Sequence, residues 1–196
     1  MPRGHVRVRP AELADVPQLV RLVGTAEEKL SGPGARQLEA DTLAHLPERF
    51  AAILAADDKS VLAAVDESND IVGMVVVSEG EVGAIVAVPA LHISHLLVAP
   101  KQRRRGVGRA LVAATVHLAD QRGVEHVVAA VVSGSRDENR YLARLGFAPL
   151  VVRRIATTST LRRSLGIVDG SDRVALLRRA RSRGRSLTAR AIRRGA

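Results

Sequence analysis

Residues 98–111 read Val-Ala-Pro-Lys-Gln-Arg-Arg-Arg-Gly-Val-Gly-Arg-Ala-Leu, and no other stretch of the chain restricts the fold as much. An apolar run ends at Pro100, a basic turn follows, and two glycines open an amphipathic helix. Glycine at 106 and 108 lets the backbone turn tightly and leaves its N–H groups uncovered. The same groups stand at a helix N-terminus, where the helix dipole favours an anion. Arg103, Arg104, Arg105 and Arg109 add positive charge around that point. The segment therefore predicts a strand–turn–helix unit that cradles phosphate. It is not a P-loop, because no Lys-Ser/Thr pair follows the glycines, and it lacks the three-glycine spacing of the dinucleotide fingerprint.

The flanking sequence supplies a mixed sheet for this unit. His5–Arg9 alternates apolar and charged residues as an edge strand does. Ala11–Glu28 carries Leu13, Val16, Leu19, Val20 and Val23 at helical spacing, and a second helix is expected over residues 35–56 after the breaker at 31–34. Val61–Val65 and Ile71–Val77 flank Glu67–Asp70 as a β-hairpin. Leu91–Val98 is a strand, Gly108–Arg122 a helix ended by Gly123, Glu125–Val132 a strand, Arg136–Leu145 a helix ended by Gly146, and Phe147–Ile155 a last strand. Short helices are expected at Thr157–Gly166 and Asp172–Arg183. Alternating strands and helices of this kind predict an α/β (α+β) layer architecture.

Composition removes several classes of function. The chain has no cysteine, which excludes disulfides, thiolate metal sites and a cysteine nucleophile, and suits a cytoplasmic protein. Only three aromatic side chains are present, Phe50, Tyr141 and Phe147, too few for reading bases by stacking. Val82–Pro100 is 19 residues without a charge, but Pro89, His92, Ser94 and His95 interrupt it, so it reads as buried strand and loop rather than a membrane span. His5, His45, His117 and His126 are isolated, and no pair of histidines has metal-ligand spacing, so no metal is expected. Glu79 and Glu81 precede the Leu91 strand, where they could line an acceptor cleft, although a solvated loop is the commoner account. Residues 1–150 hold 17 Lys+Arg against 18 Asp+Glu, net −1, whereas residues 151–196 hold 13 Arg against 2 Asp, net +11.

Arg103-Arg-Arg-Gly-Val-Gly108 resembles the Q/R-x-x-G-x-G/A motif of the GNAT superfamily of acyl-CoA-dependent N-acyltransferases, or N-acetyltransferases. The preceding strand with Val98 and Pro100, the later Leu145-Gly-Phe147 and the element order from His5 to Ile155 are similar too. The resemblance implies a GNAT fold with a central mixed, mostly antiparallel sheet. It divides the chain into an acyltransferase domain at 1–156 and an Arg-rich extension at 157–196, partly helical or disordered. It also implies acetyl-CoA as acyl donor. Backbone N–H groups of residues 104–109, including Val107, would hold the pyrophosphate. The backbone of Leu96, Leu97 and Val98 would pair with the pantetheine arm like an added strand, and an N–H near Leu97 or Val98 would polarise the thioester carbonyl.

Direct attack by an amine needs a base, and the departing thiolate needs an acid. Several family members carry the base six residues before Val98, where this chain has His92, and imidazole is a side chain suited to proton removal near neutral pH. Simple alternation puts His92, Ser94, Leu96 and Val98 on one strand face and His95 on the other. Many members carry a tyrosine four residues before the glycine of the Gly-Phe pair. Here that place holds Leu142, and Tyr141, the candidate acid, precedes it by one residue. One helical step turns a side chain by about 100°, which aims Tyr141 elsewhere unless the helix register differs. The CoA-contacting Asn of the family aligns with Ser135, with Asn139 as a substitute, and Ala130 stands where N-terminal acetylases of ribosomal proteins often have Glu.

The implied partners are acetyl-CoA and an amine acceptor, without a membrane, and pairing of sheet edges into a homodimer stays open. The rival class is a catalytically degenerate CoA-binding protein whose tail docks on nucleic acid or another polyanion. Solvated charge is the commoner fate of such a tail.

Overall fold

The computed structural model describes residues 6–26, 45–83, 85, 87–131 and 135–167. Contacts divide the chain into two units, Met1–Leu150 and Val151–Ala196. The first is built on five strands: β1 (Arg7–Pro10), β2 (Lys59–Val65), β3 (Ile71–Val82), β4 (Val88–Val98) and β5 (His126–Ala129). They lie side by side in sequence order. β1 to β4 are antiparallel, and β5 runs parallel to β4. The hairpin turn between β2 and β3 is set by Asp66, whose carboxylate accepts from the N–H groups of Ser68 and Asp70, both at 3.0 Å. A parallel neighbour requires a crossover, and the helix α3 (Val107–Gln121) supplies it.

Each face of the sheet carries its own apolar layer. On one, α1 (Val16–Ala26) and α2 (Leu46–Leu54) bury Leu19, Leu22 and Phe50 against Val61, Ala63, Met74, Val76 and Leu97. On the other, α3 buries Val107 and Leu111 against Leu62, Ala64, Val75, Val77 and Ile93. A Cβ at Gly73 would stand 2.9 Å from Val107 Cγ1 and 3.0 Å from the Leu97 carbonyl oxygen, so glycine there admits α3 close to β3.

Leu13 lies outside α1, in a 3-10 turn at Leu13–Asp15, and is exposed. The turn is held by Asp15, whose carboxylate accepts from Arg9 at 2.6 and 2.9 Å and from the Glu12 N–H at 2.8 Å. Residues 27–44 and 168–196 lie outside the described residues, as do His5, the first part of the expected second helix and the expected helix at Asp172–Arg183.

The expected strand at Phe147–Ile155 is not formed. Leu150, Val151, Val152 and Ile155 are exposed, and no described strand pairs with the segment. An apolar run becomes a strand only where another strand meets its N–H and C=O groups. A fourth helix of the first unit, α4 (Arg136–Arg144), ends at Gly146 with φ +96°. In the second unit α5 (Thr158–Ser164) begins where the Thr157 hydroxyl accepts from the Thr160 N–H at 3.2 Å. Among the described residues no helix is long and apolar enough to cross a membrane, and no group of three or more His, Asp or Glu is placed to hold a metal ion.

Candidate active site

The site is organised by the way β4 loses its neighbour. β5 pairs with β4 from Ala90 to Ile93, and the described pairing ends there, with the Ala130 N–H on the Ile93 carbonyl at 3.0 Å. Past Ile93 no described strand pairs with this edge of β4. The Ala99 N–H donates to the Val72 carbonyl at 2.9 Å and so faces β3. Peptide groups alternate along a strand, so the N–H groups of Val98 and Leu96 face the open edge, whereas Leu97 turns its carbonyl to β3, beside Gly73. At the far end Arg103 Nε donates to the Val98 carbonyl at 3.3 Å.

Beside this edge, β4, the turn after it and α4 enclose a cleft of about 910 Å³. Arg104 and Gly106 have φ of +60° and +90°, and Gly106 caps α3 in this left-handed conformation. The intrahelical ladder starts with the Ala110 N–H on the Gly106 carbonyl at 2.9 Å, so the N–H groups of Val107, Gly108 and Arg109 have no acceptor within the helix. Gly106, Gly108 and Arg109 line the cleft with Arg103, Arg104, Leu96, Val98, Ser135 and Tyr141. Of the other expected contacts, Val107 and Leu97 bury their side chains in opposite cores. Arg105 donates to Gln102 Oε1 at 3.4 Å, and Asn139 Nδ2 to the Ser135 carbonyl at 2.8 Å, neither lining the cleft.

Sequence reasoning missed the charged side chains of α4. Arg140 and Arg144 line the cleft along with Asp137 and Glu138, giving it five arginines against two carboxylates. The signal was present: Arg136, Arg140 and Arg144 recur every fourth residue.

Tyr141 faces the cleft, contrary to the expectation from its one-residue offset. A Cβ at Gly108 would stand 3.3 Å from its hydroxyl oxygen, and Val98 Cγ2 lies 3.8 Å from the same point. Leu142, at the usual tyrosine place, is buried instead. The helix register thus differs from the frame the motif implies. Burial raises the Tyr141 pKa above the usual phenol value, with Arg109 opposing the shift.

His92 is placed by a bulge. Val77 pairs with Ile93 but Val76 with His95, which leaves Ser94 as an extra residue in β4. Alternation is broken there. Ile93, Leu96 and Val98 belong to the α3 face, whereas His92 and His95 join Leu97 on the α1/α2 face. His92 therefore does not share a face with Leu96 and Val98, and His95 does share one with His92. Ser94 Oγ donates to the Val76 carbonyl at 3.2 Å and lies 3.2 Å from His95 Nδ1. Glu79 pairs with Arg122, which also donates to Ser60 Oγ at 3.1 Å.

A family model described as Acetyltransferase (GNAT) family matches residues 21–147. Comparison with curated proteins gives no match. Among solved structures the chain is similar to a transcriptional regulator from Bacillus halodurans, at 20% identity and TM-score 0.63, over 78% of this chain and 99% of that one. It is similar to an aminoglycoside N-acetyltransferase in complex with CoA, at 16% identity and TM-score 0.66, over 81% and 98%. A ribosomal-protein-alanine N-acetyltransferase from Brucella melitensis matches at 16% identity and TM-score 0.62, over 78% and 99%. At such identities the likeness is one of fold.

Proposed function

Because the chain belongs to the acetyltransferase (GNAT) family, we propose that it moves an acetyl group from acetyl-CoA to a primary amine by direct attack on the thioester carbonyl. One observation carries the assignment of roles. Among the described residues, the buried side-chain polar atoms without a hydrogen-bond partner are His92 Nε2 and the Tyr141 hydroxyl. Buried polar atoms are almost always paired, because leaving one unmade costs about 1–3 kcal/mol. These two are the base and acid that the sequence proposed. The described residues supply neither with a partner.

The cleft suits the phosphates of CoA: glycine at 108 keeps the wall beside Tyr141 open, and the arginines supply positive charge. In this reading the first-turn N–H groups of α3 hold the pyrophosphate, and the open edge at Leu96 and Val98 pairs with the pantetheine arm. The Val98 N–H polarises the thioester carbonyl. His92 Nε2 takes a proton from the incoming ammonium on the α1/α2 side of β4. Tyr141 gives its proton to the departing thiolate from the α3 side, and burial keeps that hydroxyl protonated until then. One C–N bond forms and one C–S bond breaks; the proton on His92 is released to solvent, and the second proton lost by the amine restores the Tyr141 hydroxyl.

The test is release of CoA thiol by the purified chain from acetyl-CoA with polyamines, aminoglycosides, lysine peptides and peptides with free N-termini. Turnover with at least one class is expected. Tight CoA binding with no turnover on any of them would favour the rival, a CoA-binding protein whose basic tail engages nucleic acid. On the rival's side stands the exposure of every described residue from 151 to 167. We propose that the extension from 157 is separable from transfer.

A further inference from the structure

Gly80 sits in β3, opposite Ala90 and just past the last residue that β2 pairs with, Ser78. Nothing in its backbone requires glycine, since it is not among the residues with positive φ. Glycine inside a strand also weakens it. The space it leaves is nonetheless filled. The three heavy atoms nearest to a Cβ built at Gly80 all belong to His92: Cδ2 at 2.9 Å, Nε2 at 3.0 Å and Cγ at 3.9 Å. The direct cross-strand partner of His92 is Ser78, so the ring leans along the diagonal onto the bare backbone of Gly80. There Nε2 is buried without a hydrogen-bond partner. Among the described residues no polar contact holds the atom in place, whereas the Gly80 gap receives the ring. Any side chain at 80 would lift the ring.

We propose that Gly80 is a positioning residue for acetyl transfer: the gap left by its missing side chain is the seat of the His92 imidazole, and it sets where Nε2 meets the incoming ammonium. The inference rests on the reading of His92 as the base. It adds a residue that touches neither substrate and acts only through the ring it seats. It also explains why Gly80, unlike Gly106 with its φ of +90°, is glycine in an extended strand that any residue could adopt.

Gly80→Ala is the test, because one methyl group fills the seat and asks nothing of the backbone. Three readouts separate positioning from a structural role. First, His92 modification by diethyl pyrocarbonate, followed by peptide mass spectrometry in the full chain, should quicken several-fold in Gly80→Ala as Nε2 emerges. Second, kcat with whichever amine the parent acetylates should fall about 10- to 100-fold while KM for acetyl-CoA is unchanged, since a misplacement near 1 Å costs that much. Gly80→Ala added to His92→Ala should cost nothing further. Third, Gly80→Ala should raise the melting temperature in the His92→Ala background, where no ring is in the way, and raise it less or lower it in the parent. An unchanged modification rate, an additive loss of kcat, or the same shift in melting temperature in both backgrounds would each overturn the proposal. If His92→Ala keeps parental turnover, the base reading fails by itself, while the modification and melting experiments still decide whether Gly80 seats the ring.

Discussion

The two sides of β4 are assembled by different means. On the α3 side the phosphate cradle is one continuous stretch, since the end of the strand, the arginine turn and the first turn of the helix span residues 96–109, and α4 completes the cleft. On the α1/α2 side the His92 ring depends on how two strands pair. It needs Gly80 from the other arm of the hairpin and a bulge at Ser94 that sets which face the histidine occupies. The first arrangement is fixed by local backbone geometry and survives small shifts of the sheet. The second is fixed by register, and one residue of slip would turn the histidine onto the wrong face. Binding of the phosphates therefore belongs to a robust part of the molecule, and the proton transfer to a delicate one.

The largest effect that would sharpen this contrast is His92→Ala. Loss of a general base lowers kcat by about 10²-fold or more, and KM for acetyl-CoA should stay as it was, because the ring lies across the strand from the cradle. Steady-state kinetics with the parental amine substrate checks this. Equal loss of acetyl-CoA affinity would mean that the two sides are not separate devices.

Gly108→Val probes the other side. Its Cβ would sit 3.3 Å from the Tyr141 hydroxyl, and its methyl groups would occupy the cleft next to the α3 N-terminus. CoA affinity measured by calorimetry should fall about tenfold or more, roughly 1.4 kcal/mol, with the melting temperature little changed. Unaltered affinity would remove the cradle from its place in the proposal.

This difference also governed what could be read in advance. The cradle was legible because Gly106, Gly108 and the arginines are contiguous, and a left-handed residue before a helix is a property of the local chain. The five strands, α3 and α4 were legible from periodicity and from Gly123 and Gly146 as helix stops. The face of His92 was not, because a bulge is a mismatch between two strands and neither strand shows it alone. The orientation of Tyr141 was hidden for a related reason. It depends on the register of α4, in which Leu142 is buried and the neighbouring ring lies over Gly108. The strand expected at 147–155 failed because apolar alternation records a tendency and not the presence of a partner.

Tyr141→Phe comes next in size. It keeps the ring over Gly108 and removes only the proton donor. We expect kcat to fall by about tenfold with CoA affinity retained, since the hydroxyl makes no hydrogen bond to a described residue. Parental kcat in this variant would show that water protonates the thiolate. The raised pKa has a stability consequence with a definite sign. The folded state prefers the neutral phenol, so its contribution is complete below the unfolded value of about 10 and is lost as pH rises through the folded value. Parent protein should lose melting temperature at such pH more steeply than Tyr141→Phe.

The smallest expected effect on transfer comes from the ion pair that ties the start of α1 to β1. Asp15 takes both Arg9 nitrogens and the Glu12 N–H, and its exposure is only 6%. The hydrogen bond from Arg9 leads in holding its carboxyl below the model-peptide value of 3.8. A depressed pKa stabilises the fold above that value, and the contribution is lost as pH falls through the lower folded value. Asp15→Asn should therefore cost about 1–2 kcal/mol at neutral pH, as hydrogen bonds to charged groups do. The gap between parent and variant should close as pH is taken below 3.8, which urea titrations at several pH values would measure. Acetyl transfer should be nearly untouched where both proteins are folded, because neither Arg9 nor Asp15 lines the cleft or meets His92. A fall in kcat as large as that of Gly80→Ala would instead show that the α1/α2 side transmits its strain to the histidine. The register of β3 on β4 would then not be enough to hold the ring.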